Sequence, residues 1–212
     1  MLLFAHTGIT AGSAWLAGKA ASLIKKDGIE PSKVTEKVTA ADEIGPDGKI
    51  NAVSGKPSYS TGIDYRMVLI GSMLPDIIDK PLGIYLLADE IGNGRIYGHT
   101  LLFFLALVIL GIFLYYYRRN AALLLVSAGT FAHLVLDQMW NNPSTLFWPL
   151  FGAAFERHET EGWLPGLLES LTTNPSTYIS EVFGALIIGI FAWHILRNKN
   201  LIGFLKTGHI HK

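Results

Sequence analysis

The chain has 212 residues, half of them apolar and only 16% charged, with a formal net charge of zero and no cysteine. That charge share falls well short of the ~25% usual for soluble domains, so the chain reads as one membrane-embedded domain, 1–212, with no feature that calls for a nucleic-acid partner. Without cysteine, disulfides, thiolate zinc sites and cysteine nucleophiles are excluded, and any metal must be held by His, Asp or Glu.

Leu2 to Ile24 is apolar, with Gly8, Gly12, Ala14 and Gly18 spread through it. Small residues let membrane helices approach closely. The cluster Lys25-Lys26 follows the apolar run, whereas a secretory signal carries its charge in front. The stretch is therefore expected to be a retained first span with its N-terminus outside. Residues 25–64 change composition: they are rich in Lys, Asp, Glu, Gly and Pro, with a turn at Pro46-Asp47-Gly48-Lys49. They read as a solvated insertion with room for a short β-hairpin.

The next stretch, Tyr65 to Ala88, organises the chain. Leu74-Pro75-Asp76-Ile77-Ile78-Asp79-Lys80 sets two carboxylates and a proline inside an apolar run. An acid at bilayer depth costs about 2.5–3.5 kcal/mol and is rarely kept without a partner. Pro75, and again Pro81, predict a broken or tilted helix lining a polar cavity.

Leu101 to Tyr117 carries no charge and ends at Arg118-Arg119. Ala121 to Leu136 follows after a tight turn, so the two are expected to pack antiparallel; it carries His133 and ends at Asp137. Residues 141–177, with Phe147, Trp148, Trp163 and several prolines, read as a lid-like outer loop. Tyr178 to Leu196 is the last span, with Glu181 near its start and His194 near its end. The predicted fold is an all-α membrane protein, a bundle of about four to five apolar helices, one of them broken at Pro75.

Lys and Arg set orientation. Lys25, Lys26, Arg118, Arg119, Arg197, Lys199 and Lys206 agree on one inside face, which puts the 25–64 insertion and the C-terminus in the cytoplasm of a multi-pass cell-membrane protein. His6, Asp79, His99, Asp137 and Glu181 then fall towards the outer ends of their segments. His133 and Asp76 lie about one turn, ~6 Å, deeper. Alone, each has an ordinary reading. His133 and Asp137, spaced i, i+4, fit a cap or a core pair; Asp76 and Asp79 fit a cap and a Lys80 partner. His99 fits an interfacial histidine, His6 a core residue, and Glu181 a first-turn acid complementing its helix dipole. Together, imidazoles and carboxylates at one depth in an apolar matrix are explained most economically by a shared cation. His194 lies ~20 Å along its helix from Glu181 and cannot join them. His158 belongs to an acidic, solvated run, and His209 and His211 to a tail. There is no Gly-rich phosphate loop and no Gly-x-Ser-x-Gly elbow.

His6-Thr7, Leu74-Pro75-Asp76-Ile77-Ile78-Asp79, Arg95-Ile96-Tyr97-Gly98-His99-Thr100, Ala132-His133-Leu134-Val135-Leu136-Asp137 and Leu146-Phe147-Trp148-Pro149 stand in this order. The set resembles the YdjM-type inner-membrane metal-dependent hydrolases over most of the chain apart from the insertion. That family is similar in turn to the all-helical zinc-dependent phospholipase C and nuclease superfamily. The resemblance implies that Asp76 or Asp79, His99, His133 and Asp137 bind one metal, and that His6 binds a second, bridged by Asp137. Gly94 stands where the family usually has a histidine, and no late His-x-x-x-Glu helix follows, so a one- or two-metal site is expected.

The expected activity is hydrolysis of a phosphoester of a lipid or lipid-linked substrate by a metal-activated water, with zinc, or else manganese, as the divalent ion. Arg95 is the candidate phosphate partner, and Glu181 or the non-ligating member of Asp76 and Asp79 the candidate general base. The alternatives are a cation transporter and a non-catalytic membrane protein whose acids pair with Lys80 and Arg95.

Overall fold

The computed structural model describes residues 3–26, 63–157, 163–198 and 201–209. Nearly all of the predicted insertion, with its turn and β-hairpin, lies outside the described residues, as does His158. Among the described residues the fold is helical throughout, with no strand. Helix α1 spans Leu3–Lys26. Helix α2, Tyr65–Lys80, runs directly into a π-helical segment, Pro81–Leu86. Helices α3, Leu101–Arg118, and α4, Ala122–Leu136, form an antiparallel pair. A 3₁₀ turn, Met139–Asn141, leads to α5, Pro143–Leu146; α6, Trp163–Thr173, α7, Pro175–Arg197, and α8, Leu201–Thr207, complete the order.

Two of these helices, α3 and α7, are long and apolar enough to cross a membrane, and α4 is apolar but shorter. Burial is inverted relative to a soluble protein. Helix α3 turns Ile109 and Phe113 outward, and α7 turns Phe183, Leu186 and Ile190 outward, while His6, Asp79, His99, Thr130 and His133 are fully enclosed. Apolar surface outside and polar groups inside is the arrangement a lipid solvent favours.

Close backbone approach builds the interior. Helix α1 packs on α7, and α2 packs on α4. At the first crossing a side chain on Gly8 would run into the Gly184 carbonyl; at the second, one on Gly129 would run into the Val68 carbonyl. Glycine at such points lets helices pack without a side chain between them. Helix α1 is also tied by its first turn, where the Glu181 carboxylate accepts from the amides of Phe4, at 2.9 Å, and Ala5, at 3.3 Å.

The predicted break at Pro75 is not where the chain departs from α-helix. Helix α2 passes through Pro75, and the irregular geometry begins at Pro81. Proline removes the amide that would bond the Gly71 carbonyl. Thr130 of α4 supplies the replacement, its hydroxyl donating to the Gly71 carbonyl at 3.2 Å. The predicted outer loop, 141–177, also differs, because it contains α5 and α6. Two of the prolines in that stretch instead start helices: Pro143 opens α5, and Pro175 opens α7 behind Asn174, whose side chain accepts from the Ser176 amide at 3.1 Å. At the first helical position the missing amide costs nothing and the fixed φ suits the helix.

Candidate metal centre

Four segments bring chemistry to one point. Helix α1 contributes His6, α2 contributes Asp76 and Asp79, the loop before α3 contributes Arg95 and His99, and α4 with its C-cap contributes His133 and Asp137. The Nε2 atoms of His99 and His133 face each other at 3.1 Å. Asp76 Oδ1 lies 3.7 Å from His99 Nε2 and 3.9 Å from His133 Nε2. Asp137 Oδ2 lies 3.6 Å and 4.0 Å from the same two nitrogens. His6 Nε2 is 3.0 Å from Asp137 Oδ1, and its ring leans over that of His133 with centroids 4.2 Å apart.

Hydrogen bonds behind the rings set which nitrogens face inward. His133 Nδ1 is 2.7 Å from the Ser72 carbonyl. A carbonyl only accepts, so Nδ1–H donates, and neutral His133 keeps its lone pair on Nε2. His99 Nδ1 is likewise 2.7 Å from Asp79 Oδ2. Two lone pairs thus point at each other across 3.1 Å, an arrangement that calls for a proton or a cation between them. The spacing suits an ion. Ligands ~2.0–2.1 Å from a tetrahedral zinc lie about 3.3–3.4 Å from one another, and the centre's edges run from 3.0 to 4.0 Å.

Asp79 stands behind the centre. Its Oδ1 accepts from the Gly98 amide at 2.8 Å, and its Oδ2 from the amides of Ile96, at 2.7 Å, and His99, at 3.2 Å, as well as from the His99 ring. Gly98 makes this wrap possible: a Cβ there would sit 3.0 Å from Pro75 Cα and 3.1 Å from Asp79 Oδ1. Asp76 gives its outer oxygen, Oδ2, to Lys80 Nζ at 2.7 Å. Arg95 Nε lies 2.8 Å from Asp137 Oδ2, and its side chain is 43% exposed, so it stands at the mouth.

The electrostatics follow the geometry. Burial alone would raise the Asp137 carboxyl, but hydrogen bonds from His6 and His99 and the charge of Arg95 outweigh it and hold it well below the usual carboxylate range. For His99 burial works downward, and the bonds and charges of Asp137 and Asp79 overcome it, leaving the imidazole easier to protonate than usual.

Of the residues singled out in the sequence, His6, Asp76, Asp79, Arg95, His99, His133 and Asp137 come together. Glu181 does not join their donor groups; it binds the α1 amides. His194 sits beside Asn198, at 3.3 Å, and His209 binds the Ile63 carbonyl. Three contributors carried no signal. Ser72 acts through its carbonyl and Thr130 through a hydroxyl in an apolar helix. Asn93 accepts from the Arg95 amide at 2.8 Å and donates to the Glu156 carbonyl at 2.8 Å, tying the Arg95 loop to the segment after α5. Asn93-Gly94 reads as a turn, but not as a brace. Tyr97 adds to this tie with edge-on contacts to Trp148 and Phe155.

A model of the YdjM inner membrane protein family matches residues 49–201. No curated protein and no solved structure matches the chain.

Proposed function

The chain belongs to the YdjM inner membrane protein family, and we propose that it is a membrane-embedded metal-dependent hydrolase that cleaves a phosphoester of a lipid or lipid-linked substrate. His6, Asp76, His99, His133 and Asp137 are the ligands in this reading, and imidazole with carboxylate suits zinc first and manganese second. When bound, such an ion supplies Lewis acidity and lowers the pKa of water to ~7. The chain's own residues hold and orient. Asp79 keeps the proton of His99 on Nδ1, so that Nε2 stays a ligand. Arg95, half-exposed above Asp137, offers its outer guanidinium nitrogens to a phosphate. Glu181 serves the position of α1, and hence of His6. With the Lys- and Arg-rich ends inside, the centre lies near the outer face of the membrane, level with lipid head groups.

One observation carries the reading: two fully buried imidazoles aim lone pairs at each other across 3.1 Å, with two carboxylates beside them. The test is elemental analysis of the detergent-purified protein beside its His133→Ala variant. Bound transition metal in the wild type, lost in the variant, is expected. A wild type without any overturns the proposal.

A second reading draws on the ion pairs themselves. Lys80 on Asp76, at 2.7 Å, and Arg95 on Asp137, at 2.8 Å, partner the acids without an ion. If that is their whole purpose, neutralising Lys80 and Arg95 destabilises the protein as much as removing Asp76 and Asp137 does.

A further inference from the structure

We infer that Leu146–Phe155 forms a tongue seated in the interfacial layer of the leaflet beside the metal centre, with its tip, Leu150 and Phe151, among lipid acyl chains. The run is Leu146-Phe147-Trp148-Pro149-Leu150-Phe151-Gly152-Ala153-Ala154-Phe155, closed by Glu156-Arg157. Its only polar side-chain group is the Trp148 indole N–H, which donates within the run to the Ala153 carbonyl at 2.9 Å. An apolar run of this length is too short to span a bilayer, and it ordinarily belongs to a core or to an interface. This one is not core. Leu150 is 82% exposed and Phe151 67%, and Pro149, Gly152, Ala153 and Ala154 are exposed as well.

The backbone closes much of its own bonding. The Trp148 amide donates to the Thr145 carbonyl at 3.2 Å, the Leu150 amide to Phe147 at 2.7 Å, and the Gly152 amide to Pro149 at 3.2 Å. Bonds made internally lower the cost of bringing a chain to the edge of hydrocarbon. Exposed aromatic and aliphatic side chains on such a chain suit the water–lipid boundary.

Helix length sets the depth. Helix α3 has 18 residues and its antiparallel neighbour α4 has 15, so α4 stops about 5 Å short of the level at which α3 begins. At roughly 22 Å, α4 does not cross a hydrocarbon core of ~30 Å, and the chain beyond it starts at or below the boundary. The base of the tongue is fastened to the loop that carries Arg95. Tyr97 meets the rings of Trp148 and Phe155 with centroids 5.3 Å and 5.1 Å away, and Asn93 donates to the Glu156 carbonyl at 2.8 Å. The depth of the tip and that of Arg95 are thereby set together. On the hydrolase reading, a lipid could bring its phosphate to Arg95 while its chains stay in the leaflet beside the tongue; the seating of the tongue itself does not rest on that reading.

A second protein surface fits the tip less well. A stable interface engages about 20–30 residues a side, and the exposed tip is a handful of side chains.

Because the chain has no cysteine, Phe151→Cys and Leu150→Cys each give a single labelling position, with Arg157→Cys as the reference; two tip positions guard against one that fails to fold. Each full-length variant is labelled with an NBD fluorophore and reconstituted into phosphatidylcholine–phosphatidylglycerol vesicles. The tip labels are expected to emit to the blue of the Arg157→Cys label and to lose most of their intensity when the acyl chains carry bromine. Tip emission as in water, unquenched by brominated lipid, overturns the inference. So does a blue-shifted tip label that bromine does not quench, or whose shift disappears as the protein is diluted in lipid, since protein would then cover the tip. Metal content, the test of the hydrolase reading, is unaffected by any of these results, so either proposal can fail while the other stands.

Discussion

The replacement of the Pro75 amide by the Thr130 hydroxyl can be tested as a coupled pair. The Gly71 carbonyl is buried between α2 and α4 and accepts from Thr130 Oγ1 at 3.2 Å. Thr130→Val removes that donor and keeps the shape. A buried acceptor left alone costs about 1–3 kcal/mol, and hydrogen bonds between membrane helices measure ~0.6 kcal/mol on average and ~1.7 at most. The expected loss is therefore about 1–1.5 kcal/mol. Pro75→Ala restores an amide at position 75, which can bond the Gly71 carbonyl within α2. In that background Thr130→Val should cost under ~0.5 kcal/mol, a coupling of about 1 kcal/mol. Unfolding of the wild type, both single variants and the double variant in mixed micelles, followed by circular dichroism, gives the cycle. Equal costs of Thr130→Val in both backgrounds would refute the reasoning, since the hydroxyl would then not be serving the carbonyl that proline leaves open. The result bears on function because this crossing holds Asp76 and Asp79 opposite His133.

Gly129→Val should force α2 and α4 apart against the Val68 carbonyl, costing more than the ~1–3 kcal/mol of ordinary overpacking; reduced metal content together with a lower unfolding midpoint is the expected readout. Chelation of the loaded protein should lower its stability by about 3–4 kcal/mol where the free ion had exceeded its dissociation constant 100- to 1,000-fold, read as a fall in thermal midpoint. Arg95→Gln should leave the ion bound and lower kcat/KM on an anionic lipid phosphoester about 10- to 100-fold, the equivalent of one charged hydrogen bond. Asp64 caps α2 by accepting from the Arg66 amide at 3.1 Å, and its bond to the Arg66 side chain holds its carboxyl below the ordinary value of 3.8. A depressed carboxyl stabilises above its unfolded pKa and loses that contribution as pH falls through the folded value. Asp64→Ala should therefore cost about 1 kcal/mol at neutral pH, and the difference from wild type should shrink below pH ~4 in unfolding scans.

Much of the candidate site was legible from residue type and spacing. His133 and Asp137 lie one turn apart, and Asp76 and Asp79 share a helix face. His99 falls immediately before an apolar helix. Acids and imidazoles so placed have nowhere inexpensive to go except towards one another. Glu181 was legible only as an acid near the start of α7. Its attachment to the α1 amides depends on α1 and α7 crossing at Gly8 and Gly184, a contact between the two ends of the chain. The prolines misled in both directions. Pro75 passes inside a helix because a neighbour supplies the missing donor, while Pro143 and Pro175 begin helices inside a stretch read as loop.

Composition and order pointed to a helical chain with apolar spans and picked out most of the side chains that the fold brings together. Apolar run length, charge placement and helical spacing are properties of the linear chain. The division of labour among those side chains came from the folded arrangement. Asp79 stands behind His99 because the amides of Ile96, Gly98 and His99 converge on it. His133 turns Nε2 inward because the Ser72 carbonyl takes its other nitrogen. Backbone amides and carbonyls are the same at every residue, so no reading of side chains could have foreseen which of them would do this.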